Sequence, residues 1–504
     1  MIPELEPITA SEFDAQAASH LLRRTVIGAR SSEIRLALNT GLEATLNRLF
    51  TPFDPDRSSI QHMIGNKVWS ESRPHSSPRW YGFFDEKNGR YTDLRQWICR
   101  NIVTSPTSLQ ERMTLMWHMH FPSSCGGSHF AEHCLDQNEV MRKLCLGDLR
   151  ELVSQVTLGQ AMQIYLDGVH SYWNDRENAV NENHAREFLE IHVLGHSSRT
   201  GQPLCSQQDI VSIAHAFTGT HITEEWSAYD AASDDLLRDR ECSWSAHRWD
   251  PRDKNIMGMV GPWKPTDVVN ILFQQRSSDI AWWFAKRLCE EFIARPSETS
   301  PHEVEGIADL LLTNDFDIGR TMRTLLSSKL FFDRRFRLRL VKTPMHLWLG
   351  SLRILEVTDI PDFFLDSPRH GDDLISRLAA FGHLPYEPPN VSGWHRDLDW
   401  LTPSDVSRRI AQCTKLAEGK LTFKNESTNW RVNLYNPVQV IDRVGGMNNI
   451  EALSQTLCND VLGVDDTDLI QRLHSQLRSR PMSLETRQQQ GLSSVMSSPF
   501  YQLF

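Results

Sequence analysis

The chain has 504 residues, 40% of them hydrophobic and 23% charged, with 15 tryptophans, the balance of a globular protein with a large packed core. Its net charge of -11 argues against nucleic-acid binding, which needs a lysine/arginine excess to neutralise phosphate. No run of 18 apolar residues occurs, so no membrane-spanning helix is expected.

In chain order, the opening "MIPELEPITASEFDAQAASH" has acids where a secretory leader has lysines, and no apolar centre. The nine cysteines are scattered and never spaced C-x-x-C, the pattern of reduced thiols, and a cytoplasmic protein is expected. Helical periodicity begins at 11–28, with Ser11 as N-cap, Asp14 three residues later and Gly28 as stop. Similar spacing predicts helices near 32–49, 92–119, 139–165, 181–194, 206–218, 277–295, 302–313, 319–328, 335–354, 371–381, 403–418, 436–459, 466–479 and 484–497. The basic stretch "RFRLRL" falls inside the 335–354 helix on this reading. Strand-like alternation is scarce. The expected fold class is mainly α: a large single-domain helical array over residues 1–504, with long ordered loops near 220–262 and 383–403.

Three stretches carry polar groups suited to chemistry. In "NENHAREFLEIHVLG" (181–195), helical spacing puts Asn183, Glu187 and Glu190 on one face, flanked by His184 and Arg186. The rest of that helix is largely apolar, so it is expected to be buried and its carboxylates with it. Buried carboxylates need a cation, donors or a metal. The competing reading is an ion-pair network in which Arg186, Arg23 or Arg24 answers them. In "MTLMWHMHFPSSCGGSHFAEHC" (113–134), His118 and His120 are two apart and would leave a helix on different faces. One ion could take both only if the chain were extended. His129 and His133 have a two-histidine helical spacing, but Gly126 and Gly127 weaken a Cys125–His–His zinc site. In "PPNVSGWHRDLDW" (388–400), prolines pre-set the backbone, Gly393 permits a turn, and Asn390, Trp394 and Trp400 supply polar and flat apolar surface. That loop reads as a buried structural element that also borders a pocket. Nucleotide-binding glycine loops, a G-x-S-x-G elbow and H-E-x-x-H are absent from the sequence.

"HLLRRTVIG" (20–28), "MWHMHF" (116–121), "NENHAREFLEIHVLG", "DIVSIAHAFTG" (209–219), the Pro-Pro-Asn-Val-x-Gly-Trp loop, "RLVKTPMHLWLGSLRIL" (339–355) and "VMSSPFYQ" occur in the order of the DUF1800 family. The chain resembles that family over nearly its whole length. The resemblance implies a helical fold and ties the histidine stretch, the carboxylate helix and the proline–tryptophan loop into one recurring set. This chain departs from the family pattern at His184 for tyrosine, His215 for arginine, Thr220 for tryptophan, Trp249 for histidine and His383 for glutamine.

Two classes of function follow as expectations. One is a metal-dependent enzyme, with iron or manganese favoured over zinc, held by His118, His120, Glu187 and Glu190. Arg186 and His184 are its catalytic candidates, and Asn183, Asn390 and Trp394 would bind a small-molecule or peptide substrate. Oxidative chemistry in a biosynthetic pathway is favoured over zinc-dependent hydrolysis. The other class is a non-catalytic helical scaffold that binds a protein partner through loop tryptophans.

Overall fold

The computed structural model describes residues 2–60, 79–124, 131–173, 178–222, 242–357, 374–419, 450–463, 466–479 and 481–504. It is mainly helical, as the periodicity predicts. The helices are α1 (Ala15–Thr25), α2 (Ser31–Leu49), α3 (Arg79–Thr104), α4 (Gln110–His120), α5 (Ala131–Leu144), α6 (Leu149–Leu158), α7 (Gln160–Tyr165), α8 (Glu182–Glu187) and α9 (Gln207–Ala216). They continue as α10 (Pro265–Gln275), α11 (Ser277–Phe292), α12 (Pro301–Thr313), α13 (Ile318–Ser327), α14 (Lys329–Phe332), α15 (Pro344–Ile354), α16 (Leu374–Ala380), α17 (Pro403–Ala417), α18 (Ile450–Thr456), α19 (Thr467–Arg478) and α20 (Leu484–Met496). Among the described residues, the strands form three short antiparallel pairs, Tyr172–Trp173 with Asn178–Ala179, Thr220–Ile222 with Cys242–Trp244, and Lys254–Ile256 with Met259–Gly261, beside four isolated bridges.

Where expected and observed helices differ, local chemistry gives the reason. The first helix starts after Asp14, whose carboxylate accepts from the Ala17 N–H at 2.8 Å, so Asp14 and not Ser11 is the cap. The expected helix 92–119 is two, because Pro106 cannot continue one and disfavours helical backbone at Ser105. The expected helix 139–165 is three, broken before Asp148, which caps α6 through the Glu151 N–H at 2.9 Å, and again at Gly159. The basic stretch is not helical beyond a short turn at Arg334–Phe336. Its continuation is extended and pairs with the C-terminal residues, Lys342 N–H donating to the Gln502 carbonyl at 2.8 Å. Helix α15 begins only at Pro344, which fits the first helical position because its missing N–H would have no partner there. Helix α10 went unforeseen, although Pro265 at its start and Asp267 accepting from the Lys264 N–H at 2.9 Å mark it. Cys125, His129, residues 223–241 of the expected long loop and the start of the expected helix 436–459 lie outside the described residues.

The apolar side chains form two cores. One gathers α1, α6, α9 to α13 and the Phe188–Val193 turn; the other gathers α3, α15 to α17 and α18 to α20. Helix α4 lies between them. Met113, Met116 and Trp117 pack into the first, Leu115 and Met119 into the second, and Glu111 to His120 are all buried. A helix apolar on every side is one with packing on every side. Helices α1 and α15 are locked where Gly28 (φ 81°) meets Gly350: a Cβ on Gly28 would stand 2.3 Å from the Gly350 carbonyl oxygen. No helix among the described residues is long and apolar enough to cross a membrane.

Candidate functional site

Helix α4 joins the three quoted stretches through consecutive residues. His118 enters the second core, its ring 4.3 Å from that of Tyr386 and 4.8 Å from Trp394. Its Nε2 accepts from the Tyr386 backbone N–H at 3.2 Å, which puts the ring proton on Nδ1. His120 enters the first core against Phe121 and Phe284, and its Nε2–H donates to the His192 carbonyl at 2.8 Å. Burial pushes His118 down to about 3 and His120 well below the ordinary imidazole value, the latter aided by the nearby cations Arg287 and Arg396. Both rings are therefore neutral. Two residues on a helix diverge by about 200°, so the two histidines serve opposite cores.

The carboxylate stretch is α8 followed by a π-turn over Phe188–Val193. Its buried side is His184, Ala185, Phe188, Leu189, His192 and Val193. His184 stacks on Phe217, and burial lowers it to about 4. The carboxylates are not buried as expected. The apolar residues gather on one side and leave Glu182, Arg186, Glu187 and Glu190 half-exposed on the other. There Arg186 bridges Glu182 at 3.1 Å and Glu190 at 3.7 Å, and His196 lies 3.3 Å from Glu190. Burial, then repulsion from Glu190, raises the Glu187 carboxyl. Arg186 thus answers Glu190, and Glu182 beside it, as the ion-pair reading has it, while Glu187 has no ion pair among the described residues.

The structure does not bring His118, His120, Glu187 and Glu190 onto one point. Among the described residues no three histidine, cysteine, aspartate or glutamate side chains are grouped to hold a metal ion. Asn183 is exposed beside the α8 cap, its N–H bound to the Asn181 side chain at 2.8 Å. Asn390 is an exposed turn residue, accepting from Ser392 N–H at 2.9 Å through Oδ1 and from Gly393 N–H at 3.0 Å through its carbonyl. Trp394 is buried between His118 and His383. The hollow beside His118 measures only about 20 Å³, room for a single water.

What the contacts do build is a cavity of about 190 Å³ where α4, α11, the start of α15 and the proline–tryptophan loop meet. Gly393 turns that loop at φ 86°, its Cβ position 3.0 Å from the Met119 carbonyl. The turn carries Arg396 back to donate from Nη2 to the same carbonyl at 3.1 Å. The loop does border a pocket, and Arg396, unremarked in the sequence, is the residue that does so. Opposite stand Arg112, held by Glu291, and Arg287, paired with Glu290 at 2.8 Å and lying over Trp283. Arg295 is 3.6 Å from Asp397. Arg396 has no acid within ion-pair distance among the described residues; burial and repulsion from Arg287 lower its guanidinium to about 10. His346 completes the wall. Its Nδ1 is 2.9 Å from the Thr343 hydroxyl, and its Nε2 has no partner among the described residues. Burial, then Arg112, holds it well below the ordinary imidazole value, so it too is neutral.

Sequence signals for these residues were slight. Arg396 lies inside a quoted stretch, but its partner Met119 is 277 residues away. His346 lies three residues past its partner Thr343, but the Arg112 that faces it across the cavity is far off in the sequence.

These features define a mainly helical protein in which α4 packs against both the carboxylate stretch and the proline–tryptophan loop, and borders with that loop an arginine-lined cavity. The chain belongs to the DUF1800 family, a family of proteins of unknown function, whose model matches residues 20–503. No curated protein and no solved structure matches it.

Proposed function

We propose that this chain is an enzyme that takes a small molecule into the arginine-lined cavity and moves a proton to or from it through His346. One observation carries the reading: a neutral, buried imidazole lines the same cavity as a guanidinium that has no acid within ion-pair distance among the described residues. Cavities with few convergent polar groups and perturbed ionisation are where ligands bind. The Thr343 hydroxyl accepts from the His346 backbone N–H at 3.3 Å and meets Nδ1 at 2.9 Å. It therefore fixes the ring's orientation, as a partner on the second nitrogen does for catalytic histidines. An imidazole held far below its ordinary value is a weak base, but the negative charge of a bound anion raises it in place. The size of the cavity favours a small molecule over a peptide.

The test is a thermal-shift screen of small metabolites against the wild type and His346→Gln, followed by turnover assays on the binders by mass spectrometry. Binding retained with turnover lost in His346→Gln is the expected result. Turnover unaffected by that substitution, or no binder of any charge, would sink the proposal. A metal-dependent oxidoreductase is a separate proposal, which finds no gathered ligand set among the described residues and is tested by elemental analysis.

A further inference from the structure

Resting on that reading, we infer that the molecule bound in the cavity is a short monocarboxylic acid, its carboxylate gripped by Arg396 and its tail lying on Leu340, Val341 and Phe504.

The charge pairing comes first. Glu290, Glu291 and Asp397 each already face an arginine of the same wall. Beyond the wall, Glu298 is shared by Arg295 and Arg339, at 2.6 Å and 3.6 Å. Each acid thus has a closer arginine, and Arg396, which feels Glu291 and Glu290 only at longer range, is the one wall arginine without an acid at ion-pair distance among the described residues. A part-buried guanidinium without an acid at ion-pair distance is incompletely compensated, so a ligand that brings one negative charge gains what the protein does not supply.

Donor geometry then separates carboxylate from phosphate. Helix α15 points its start at the cavity, but its first turn offers no open nest. Pro344 has no N–H, the Met345 N–H goes to His383 Nδ1 at 3.4 Å, and the His346 N–H goes to Thr343. Phosphate sites use several free backbone donors. Here one guanidinium and one imidazole remain. A planar guanidinium matches the two oxygens of a carboxylate in a fork, and the bond from Nη2 to Met119 holds its plane still.

Size and lining set the rest of the molecule. About 190 Å³ is more than ten times the roughly 10–15 Å³ that a single water needs, which fits a short chain or a small ring. Leu340, Val341, Met119 and Phe504 give the remaining wall an apolar surface.

The experiment is calorimetric titration of the whole protein with acetate, butanoate, hexanoate and benzoate, set against butanamide, benzamide and inorganic phosphate. At least one acid should bind about 10- to 100-fold more tightly than its amide and than phosphate, the worth of a charged hydrogen-bonded pair. Arg396→Gln should abolish that preference, and Arg396→Lys, which keeps the charge but not the fork, should recover only part of it. Amides binding as well as acids would overturn the carboxylate assignment while leaving the cavity reading intact. So would phosphate binding more tightly than every acid. No binding by any probe, charged or neutral, would overturn both. The acid-to-amide ratio is read on the wild type, so it decides the matter even if Arg396→Gln fails to fold.

Discussion

The His120 ring and the His192 carbonyl, 72 residues apart, are joined by a 2.8 Å hydrogen bond inside the first core. That bond makes the histidine stretch and the carboxylate helix neighbours without making them joint ligands. Replacing His120 with phenylalanine keeps a ring but strands a buried carbonyl, at a cost of about 1–3 kcal/mol. His120→Gln retains a donor and should cost less. Urea unfolding of both variants checks this. Equal losses would mean that ring packing, not the bond, is what the position supplies.

Two arginine–carboxylate pairs differ mainly in burial. Arg112 is 1% exposed where it meets Glu291, whereas Arg186 is 37% exposed where it meets Glu190. Breaking the first by Glu291→Gln leaves an uncompensated buried cation and should cost about 3–5 kcal/mol. Glu190→Gln should cost under about 1 kcal/mol, and Glu187→Gln should be neutral or stabilising because burial and Glu190 already disfavour its charge. The Glu187/Glu190 double variant should also have the metal content of the wild type by elemental analysis. Iron or manganese lost from that variant would instead restore the metal-dependent oxidoreductase.

Acidification should destabilise the fold from about pH 6.5 downwards. His118, His192 and His383 are pushed down to about 3, and His184 to about 4, by burial above all. In the unfolded chain the same rings take up protons near their ordinary 6.5. Below that pH the unfolded state binds more protons than the folded one, so stability present above 6.5 is lost as pH falls towards the folded values. Each ring contributes about 1.4 kcal/mol per pH unit in that window. Urea midpoints at pH 7.5, 6.5 and 5.5 should fall modestly over the first step, where the unfolded rings reach half-protonation, and more steeply over the second. A flat profile through pH 5.5 would refute the neutral-histidine account.

Much of the helical order was legible, because apolar periodicity reports one-sided packing directly. It failed where one residue type overrides it, as Pro106 and Pro344 do, and for α10, whose Pro265 start was overlooked. That His118 and His120 would part company was readable from their spacing on a helix. The exposure of Glu187 and Glu190 is not legible in the sequence, because a largely apolar helix need not pack on every side: Ala185, Phe188, Leu189 and Val193 form a single packed side. The cavity was hidden for a different reason. Whether an arginine lacks an acid depends on every pairing around it, and Arg112 finds Glu291 across 179 residues while Arg396 finds Met119 across 277.

Gly393 offers a test of how the loop positions Arg396. Its φ of 86° is strained for any residue with a side chain, and a Cβ there would stand 3.0 Å from the carbonyl that Arg396 uses. Gly382, at φ 68°, has open space around its Cβ position. Gly382→Ala should therefore show backbone strain alone, about 1–2 kcal/mol. Gly393→Ala should add displacement of the Met119 carbonyl, lowering stability further and weakening the binding of whichever acid the wild type prefers. Unfolding and titration of both variants separate the two effects. If Gly393→Ala costs no more than Gly382→Ala and binds the acid as the wild type does, the close approach of the loop to α4 has no part in holding the guanidinium.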